Sequence, residues 1–308
     1  MIVLNIRGGI GNQMFQYAFG KSIAKKFRTD LVLDLEPLFS QPPRVGALPR
    51  TYELGIFSIK PKVTLISKIG LFINHSNSNF IKSLIKVEKS IKKIVEPLYK
   101  REIITEEEYL SNPNLTEQVL RNSYFVGQWQ NEKYFKEISD EIRRDFSFKY
   151  TVHEKFVDVL RSIQNSPSVC IHVRRGDNVL NPKSIAAFGF IGVDYYKKAY
   201  AQIVRVVPNA RFFVFSDDIK WCEENLTFIP NIKFVSEKDC EANPADDLQL
   251  MSNCSHFIIA SSTFSWWAAW LGNKPGKVVI APEIWFVDAE RNVKYLKSII
   301  VPGWFVVK

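Results

Sequence analysis

The first thirty-four residues constrain the fold more than any other part of the chain. Ile2-Val3-Leu4-Asn5-Ile6 reads as a short apolar strand that runs into the turn Gly8-Gly9-Ile10-Gly11. Phe15, Ala18, Phe19, Ile23 and Phe27 then recur at helical spacing, which predicts a helix over 12–27. A second apolar run follows over 30–34. A strand, a helix and a strand joined this tightly predict parallel pairing and an α/β class.

The second half repeats the alternation. Strands are predicted over 168–173, 212–215, 233–235, 257–260 and 278–281, with helices near 194–207 and 245–253. A further helix over 266–271 is one that Gly272 can end with a left-handed cap. Residues 111–144 read as a short strand at 124–126 plus helix, and three prolines and a glycine make 41–49 a loop. A length of 308 residues suggests about two domains, here 1–155 and 156–308. Polar residues gather where strands end, and ligands of open α/β sheets bind beyond those ends. Two Rossmann-like sheets, one per half, lead us to expect a site in the cleft where they face each other.

Charge narrows the function. Lys and Arg number 41 against 32 Asp and Glu, a net charge of +9. Such a balance suits nucleic acid, an anionic membrane or a phosphorylated substrate. However, residues 60–101 hold 10 basic residues against Glu88 and Glu96, so almost the whole excess lies in one insert. Within it, Phe80, Ile81, Leu84, Ile85, Ile91, Ile94 and Val95 share a helical stripe, with Lys82, Lys86, Lys89, Lys92 and Lys93 around it. This basic amphipathic helix reads either as a solvated face or as peripheral contact with an anionic membrane. A nucleic-acid-binding module is disfavoured, because the polar strand ends lie elsewhere. The most apolar stretch, 257–271, is short of a membrane span. The start of the chain lacks the pattern of a secretory signal. Four cysteines without a CxxC pair read as reduced thiols. A cytoplasmic protein is expected.

Four motifs carry candidate chemistry. The loop Gly8-Gly9-Ile10-Gly11-Asn12-Gln13 opens a helix, and its amides can approach a phosphate. It is not a full dinucleotide fingerprint, since the third glycine would fall on Met14, which argues against an oxidoreductase. His172-Val173-Arg174-Arg175-Gly176-Asp177 puts Cys170, His172 and Arg174 on one face of a strand. An Arg fork there matches phosphate oxygens, and a structural pair with Asp177 is the plain alternative. Asp246-Asp247 opens a helix, either as a cap or as a bidentate acceptor for guanine. Ser261-Ser262-Thr263-Phe264-Ser265 precedes a helix and can cap it, hold phosphates or do both, while Trp266, Trp267 and Trp270 read as core. Adjacent Asp pairs and scattered histidines disfavour a metal site.

Together these motifs, with Phe215-Ser216-Asp217-Asp218 and Asp247-Leu248-Gln249-Leu250-Met251-Ser252, resemble the α-1,2-fucosyltransferase family over nearly the whole chain. The likeness is weakest over 60–107. It implies a GT-B-like fold and metal-independent, inverting transfer of L-fucose from GDP-fucose to the 2-hydroxyl of a terminal β-galactoside, with no cofactor. It also implies a place in O-antigen or other surface-polysaccharide synthesis, with an acceptor that is free or lipid-linked. The N-terminal domain becomes the acceptor side and the C-terminal domain the GDP-sugar side. By the same resemblance Arg174 would bind the β-phosphate, His172 would line the nucleotide site and Asp247 would read guanine. Thr263, Phe264 and Ser265 would surround the diphosphate, joined by Ser262, Ser216, Asp217 and the loop residues Gly9, Gly11 and Gln13. Asn12 would lie close to the reacting centre. Asp34 and Asp177, at strand ends, are candidates for a general base, and the leaving phosphate itself is the alternative proton acceptor. Asn178 stands where many relatives have Tyr, and Ser261 where relatives often have Asn. Another GDP-6-deoxyhexose, such as GDP-colitose, is the alternative donor.

Overall fold

A computed structural model describes residues 1–40, 50–64, 101–176, 179, 182–235 and 244–308. The chain divides into two compact units, the first ending at Phe146 and the second beginning at Ser147. The break comes earlier than the expected 155 because the stretch before it already belongs to the second unit. Val152 and Phe156 are buried, and the His153 N–H donates to Asp246 Oδ1 at 2.8 Å.

Among the described residues the first unit holds five strands, β1 (Ile2–Asn5), β2 (Leu31–Asp34), β3 (Lys62–Val63), β4 (Glu102–Thr105) and β5 (Ser123–Val126). All pairings are parallel, in the spatial order β3-β2-β1-β5-β4. Helix α1 (Ile10–Lys26) starts two residues before the predicted position and is buried on nearly every side. Gly20 explains how it lies so close to the sheet. A Cβ there would stand 2.8 Å from both Leu4 Cδ2 and Leu31 Cδ1. A mid-helix glycine costs helix stability, and here that cost is exchanged for apolar contact.

The second unit holds β6 (Ser168–Val173), β7 (Arg211–Ser216), β8 (Ile232–Val235), β9 (His256–Ile258), β10 (Val279–Pro282) and β11 (Phe305–Val307). They are parallel in the order β11-β10-β9-β6-β7-β8, the doubly wound arrangement of dinucleotide-binding folds. Val169, Ile171 and Val173 pack on Tyr195, Tyr196, Ala199 and Ile203 of the helix Val193–Val206. The intervening residues Cys170 and His172 therefore face the opposite side, as the strand period requires. Trp266, Trp267 and Trp270 are buried, and Trp266 Nε1 donates to Ile299 O at 2.7 Å. Gly272 ends their helix, but at φ −58°, not left-handed. Its lack of a side chain serves packing, because a Cβ would collide with the Phe257 ring.

Among the described residues no helix is long and apolar enough to cross a membrane. Cys170, Cys222 and Cys254 are buried free thiols. Most of the basic insert, including the predicted helix over 80–95, lies outside the described residues. Its ends are tied down: Lys62 pairs with Asp30 at 2.8 Å, and Arg101 Nη1 donates to Met1 O at 2.7 Å.

Candidate active site

In the second unit the strand order reverses between β6 and β9, the place where such sheets open a crevice. The chain leaving β6 carries Arg174, whose Nη1 pairs with Asp217 Oδ2 at 2.7 Å, the side chains being 34% and 26% exposed. Asp217 follows directly on β7, and its Oδ1 accepts the Arg175 N–H at 2.8 Å. Gly176 permits this approach, since a Cβ there would stand 2.5 Å from Asp217 Oδ2. Arg175 is held separately. Its Nε donates to Asp218 Oδ2 at 2.9 Å, and its guanidinium lies 4.4 Å from the Trp221 ring centre and 4.9 Å from that of Phe190. Asp218 also caps the helix Ile219–Asn225. Burial would raise its carboxyl pKa, but Arg175 and the Trp221 N–H outweigh burial and hold it low. Two consecutive carboxylates thus hold two consecutive arginines. Asp217, expected to touch the nucleotide, is turned instead toward Arg174. The alternative pairing with Asp177 falls on a residue outside the described ones, as does Asn178.

His172 is buried on the same face as Cys170. Burial, reinforced by Arg174, lowers its pKa to about 3, so the imidazole is neutral at pH 7. Its Nδ1 has no hydrogen-bond partner, and its ring lies 5.8 Å from that of Phe264. Asp247 reaches the same region. The Cys170 thiol is pushed up by burial, by a hydrogen bond with Cys254 and by the Asp247 charge. The neighbouring Asp246 is the structural member of the pair, since it accepts the His153 N–H.

Beyond β9, Ser262 caps the helix Thr263–Leu271, its Oγ accepting the Phe264 N–H at 3.3 Å. The helix therefore starts three residues before the predicted 266. Ser261, Ser262, Thr263 and Phe264 are half-buried. Ser265 is fully buried and donates to Ser262 O at 3.2 Å, so it braces the turn and offers no hydroxyl to a ligand. Ser216 Oγ accepts the Asp218 N–H at 2.9 Å.

In the first unit the order reverses between β1 and β5. Here two groups of the glycine loop are engaged within the chain itself. Gln13 is fully buried, with its Nε2 donating to Gly8 O at 2.9 Å and Thr51 O at 2.8 Å, and its Oε1 accepting the Glu53 N–H at 2.9 Å. It ties two loops together, with both of its amide N–H donors spent on main-chain carbonyls. The start of α1 is also in use. Glu53 accepts the Ile10 N–H, placing the chain's own carboxylate where a phosphate was expected. Burial raises the Glu53 pKa, against Arg50 and that N–H, which lower it. Gly9 is the N-cap of α1 and Gly11 is buried in its first turn. Asn12 is half-buried, and its Oδ1 accepts from Gln130 Nε2 at 2.8 Å.

Asp34 ends β2 in a closed network. Its Oδ2 accepts from Tyr124 Oη at 2.6 Å, and its Oδ1 accepts the Glu36 N–H at 3.1 Å. Tyr124 in turn accepts from Asn5 Nδ2 at 2.8 Å. Both oxygens of this carboxylate are thus engaged within the protein. Sequence reasoning missed Glu53, Arg50 and Gln130, which reach the loop from about 40 to 120 residues away, and Tyr124, which reaches Asp34 from 90 residues away, and none of them leaves a local pattern. The contacts of Arg175 with the Trp221 and Phe190 rings were equally hidden. Among the described residues no group of three or more His, Cys, Asp or Glu side chains is arranged to share a metal ion.

Comparison with known proteins gives a consistent picture. The sequence matches Glycosyl transferase family 11 over residues 1–308. An alpha-1,2-colitosyltransferase of Escherichia coli is 30% identical over 296 residues, covering 95% of this chain and 94% of that one. The O-antigen biosynthesis glycosyltransferase WbnK of Escherichia coli is 30% identical, covering 93% of this chain and 95% of its own. The mouse galactoside 2-alpha-L-fucosyltransferase Sec1 is 25% identical, covering 88% of this chain and 64% of its own. Among solved structures, the fucosyltransferase NodZ from Bradyrhizobium has a TM-score of 0.49 at 13% identity, covering 87% of this chain and 91% of its own.

Proposed function

The chain belongs to glycosyl transferase family 11, and from that premise we propose that it transfers L-fucose from GDP-L-fucose to the 2-hydroxyl of a terminal β-galactoside. The observation that carries this reading is the family match over the full length, with Arg174 and its carboxylate partner at the strand reversal of the second unit. The second unit takes the GDP moiety and the first takes the acceptor. As GDP leaves, negative charge grows on the β-phosphate while the sugar becomes oxocarbenium-like. Arg174 meets that charge with its fork, helped by the N-terminus of the helix Thr263–Leu271. Asp217 holds the guanidinium in place, so little reorganisation is needed when the phosphate arrives. Neutral His172 lines the pocket without adding charge. Asp247 reads guanine through its two oxygens. The acceptor hydroxyl attacks from the opposite face as the bond from the anomeric carbon to GDP breaks, gives up its proton to a base, with Asp177 the candidate, and inverts the anomeric centre. No divalent metal is required, because Arg174 and helix amides carry the leaving-group charge.

The acceptor is a galactoside-terminated glycan, free or lipid-linked, and the basic segment 60–101 brings the protein to the inner face of an anionic cytoplasmic membrane. One observation favours a second reading of the donor. The 30% identity to a colitosyltransferase over 95% of the chain supports GDP-colitose in the same site. The test offers GDP-L-fucose and GDP-colitose side by side to lactose, lacto-N-biose, N-acetyllactosamine and Galβ1-3GalNAc, with and without EDTA, and maps the product linkage. A 2-linked fucosyl product that survives EDTA supports the first reading. A preference for GDP-colitose selects the second, and no 2-linked product from either donor refutes both.

A further inference from the structure

Strands β4 and β5 pair in register, with Thr105 opposite Val126. The residues that follow them, Glu106 and Gly127, therefore start side by side at the carboxyl edge of the first sheet. A Cβ on Gly127 would stand 2.8 Å from Glu106 Cβ and 2.7 Å from Trp129 Cε2, which leaves room for glycine alone. The other neighbour of β5 is β1, so the loop that begins at Gly127 borders the strand reversal of the first unit.

This loop is held at unusual local cost. Trp129 has φ +57°, rare for a bulky side chain. Its indole is fully buried and lies flat on Phe19, 3.6 Å between centres and 3° between planes, while its Nε1 has no hydrogen-bond partner. Glu106 keeps the backbone in this shape. Its Oε2 accepts the N–H groups of both Gln128, at 3.0 Å, and Trp129, at 2.8 Å, and its Oε1 accepts from Tyr134 Oη at 3.2 Å. Gln16 Nε2 donates to Gly127 O at 3.3 Å, and the Asn131 N–H donates to Trp129 O at 2.9 Å. Strain of this kind persists where the surroundings over-determine it, and it gathers at ligand-binding sites.

The side chains show what is being held. Trp129 belongs to the core, Gln130 Nε2 donates to Asn12 Oδ1 at 2.8 Å, and Asn131 Oδ1 accepts the Lys133 N–H at 2.9 Å. Gln128 differs from all three. It is exposed, and its carboxamide has no hydrogen-bond partner among the described residues. Burial of the indole accounts for residue 129. It does not account for a carboxylate that also fixes the main chain of the exposed neighbour. What that second bond adds is a Gln128 whose backbone cannot swing, so its reach is set before a ligand arrives.

We propose that Gln128 is a specificity-determining residue for the acceptor, its carboxamide hydrogen-bonding two neighbouring hydroxyls of the glycan. This rests on the reading that the first unit takes the acceptor. A carboxamide sets a donor beside an acceptor without net charge, the complement of a pyranose diol. Glu106 touches no substrate and acts as a positioning residue through Gln128.

The test uses the donor and acceptor that the parent prefers among those named above. It separates acceptor KM, donor KM and kcat, with melting temperature as the folding control. Gln128→Ala raises acceptor KM by about five- to tenfold, the scale of one or two lost neutral hydrogen bonds, and leaves donor KM, kcat and melting temperature close to the parent's. Glu106→Gln loosens the turn and raises acceptor KM as well, with a lower melting temperature. In that background Gln128→Ala adds less than about twofold, because the side chain is no longer presented. An acceptor KM within twofold of the parent's in Gln128→Ala overturns the proposal, as does an equal rise in donor KM, or losses that multiply in the double variant. A parent that transfers to none of the galactosides is a different failure. It removes the acceptor reading, and the proposal with it.

Discussion

The two strand reversals of this molecule share a topology and differ in charge. At the second-unit reversal, Arg174, Arg175, Asp217 and Asp218 form paired charges around a neutral buried histidine. At the first-unit reversal the amides Asn12, Gln13 and Gln130, with Asn5 close by, predominate, and the charges at the turn are the chain's own Arg50 and Glu53. There the helix start that would attract an anion is already occupied by Glu53. One crevice type has thus been given two electrostatic characters. The charged one suits a diphosphate, whose oxygens match an Arg fork. The amide one suits sugar hydroxyls, which need donors and acceptors without net charge. Topology says where ligands go, and side-chain chemistry says which ligand goes where.

The strongest way to break this contrast is to remove its principal cation. Arg174→Ala is expected to lower kcat/KM for GDP-L-fucose by about 10³-fold, the scale of losing one preorganised charge donor in the transition state. Arg174→Lys restores only part of the activity, because a single ammonium lacks the fork. Steady-state kinetics checks both. Asp217→Asn keeps the shape but loosens the guanidinium, and about 10- to 30-fold is expected in the same assay, mostly in donor KM. Loss of the Arg175 pair with Asp218 is a smaller perturbation. Arg175→Met keeps an apolar stem beside Trp221 and Phe190, and roughly fivefold is expected.

How much of this was legible beforehand follows from the range of each interaction. The β-strand after Met1, the helix through Phe15 and Phe19, and the alternation over 168–281 are local patterns, and the structure has them within a few residues. His172 and Arg174 were legible on one strand face because the two-residue period is fixed. Their partners were not. Asp217 lies 43 residues from Arg174, and no period connects them. Gln13 and Ser265 looked available because amides and hydroxyls near a helix start often are. Each turned out to be consumed by main-chain groups that only the folded chain brings near. Gly272 looked like a left-handed cap, and the Phe257 ring that forbids a side chain there comes from a different strand.

The buried histidine sharpens the contrast through pH. Its pKa falls from the ordinary value near 6.5 to about 3 in the folded protein, so the unfolded chain binds the proton first on acidification. The stability it contributes is complete above pH ~6.5 and declines, by up to ~1.4 kcal/mol per pH unit, as pH falls toward 3. Thermal melts at pH 7 and pH 5 are expected to show a larger drop in the parent than in His172→Asn. An equal drop removes the buried neutral histidine from the account. The smallest expected effect concerns the occupied helix start. Glu53→Ala leaves the Ile10 N–H without its acceptor and costs about 1–2 kcal/mol in a denaturant titration, with GDP affinity unchanged.

GDP affinity is also the most direct test of the division between the two reversals. Calorimetric titration of GDP into the parent, Arg174→Ala and Asn12→Ala separates nucleotide binding from chemistry. The account predicts that Arg174→Ala weakens GDP binding by at least about tenfold, the scale of a charge-assisted bidentate contact, while Asn12→Ala binds GDP within about twofold of the parent. GDP binding that is indifferent to Arg174, or weakened as strongly by Asn12→Ala, would contradict it.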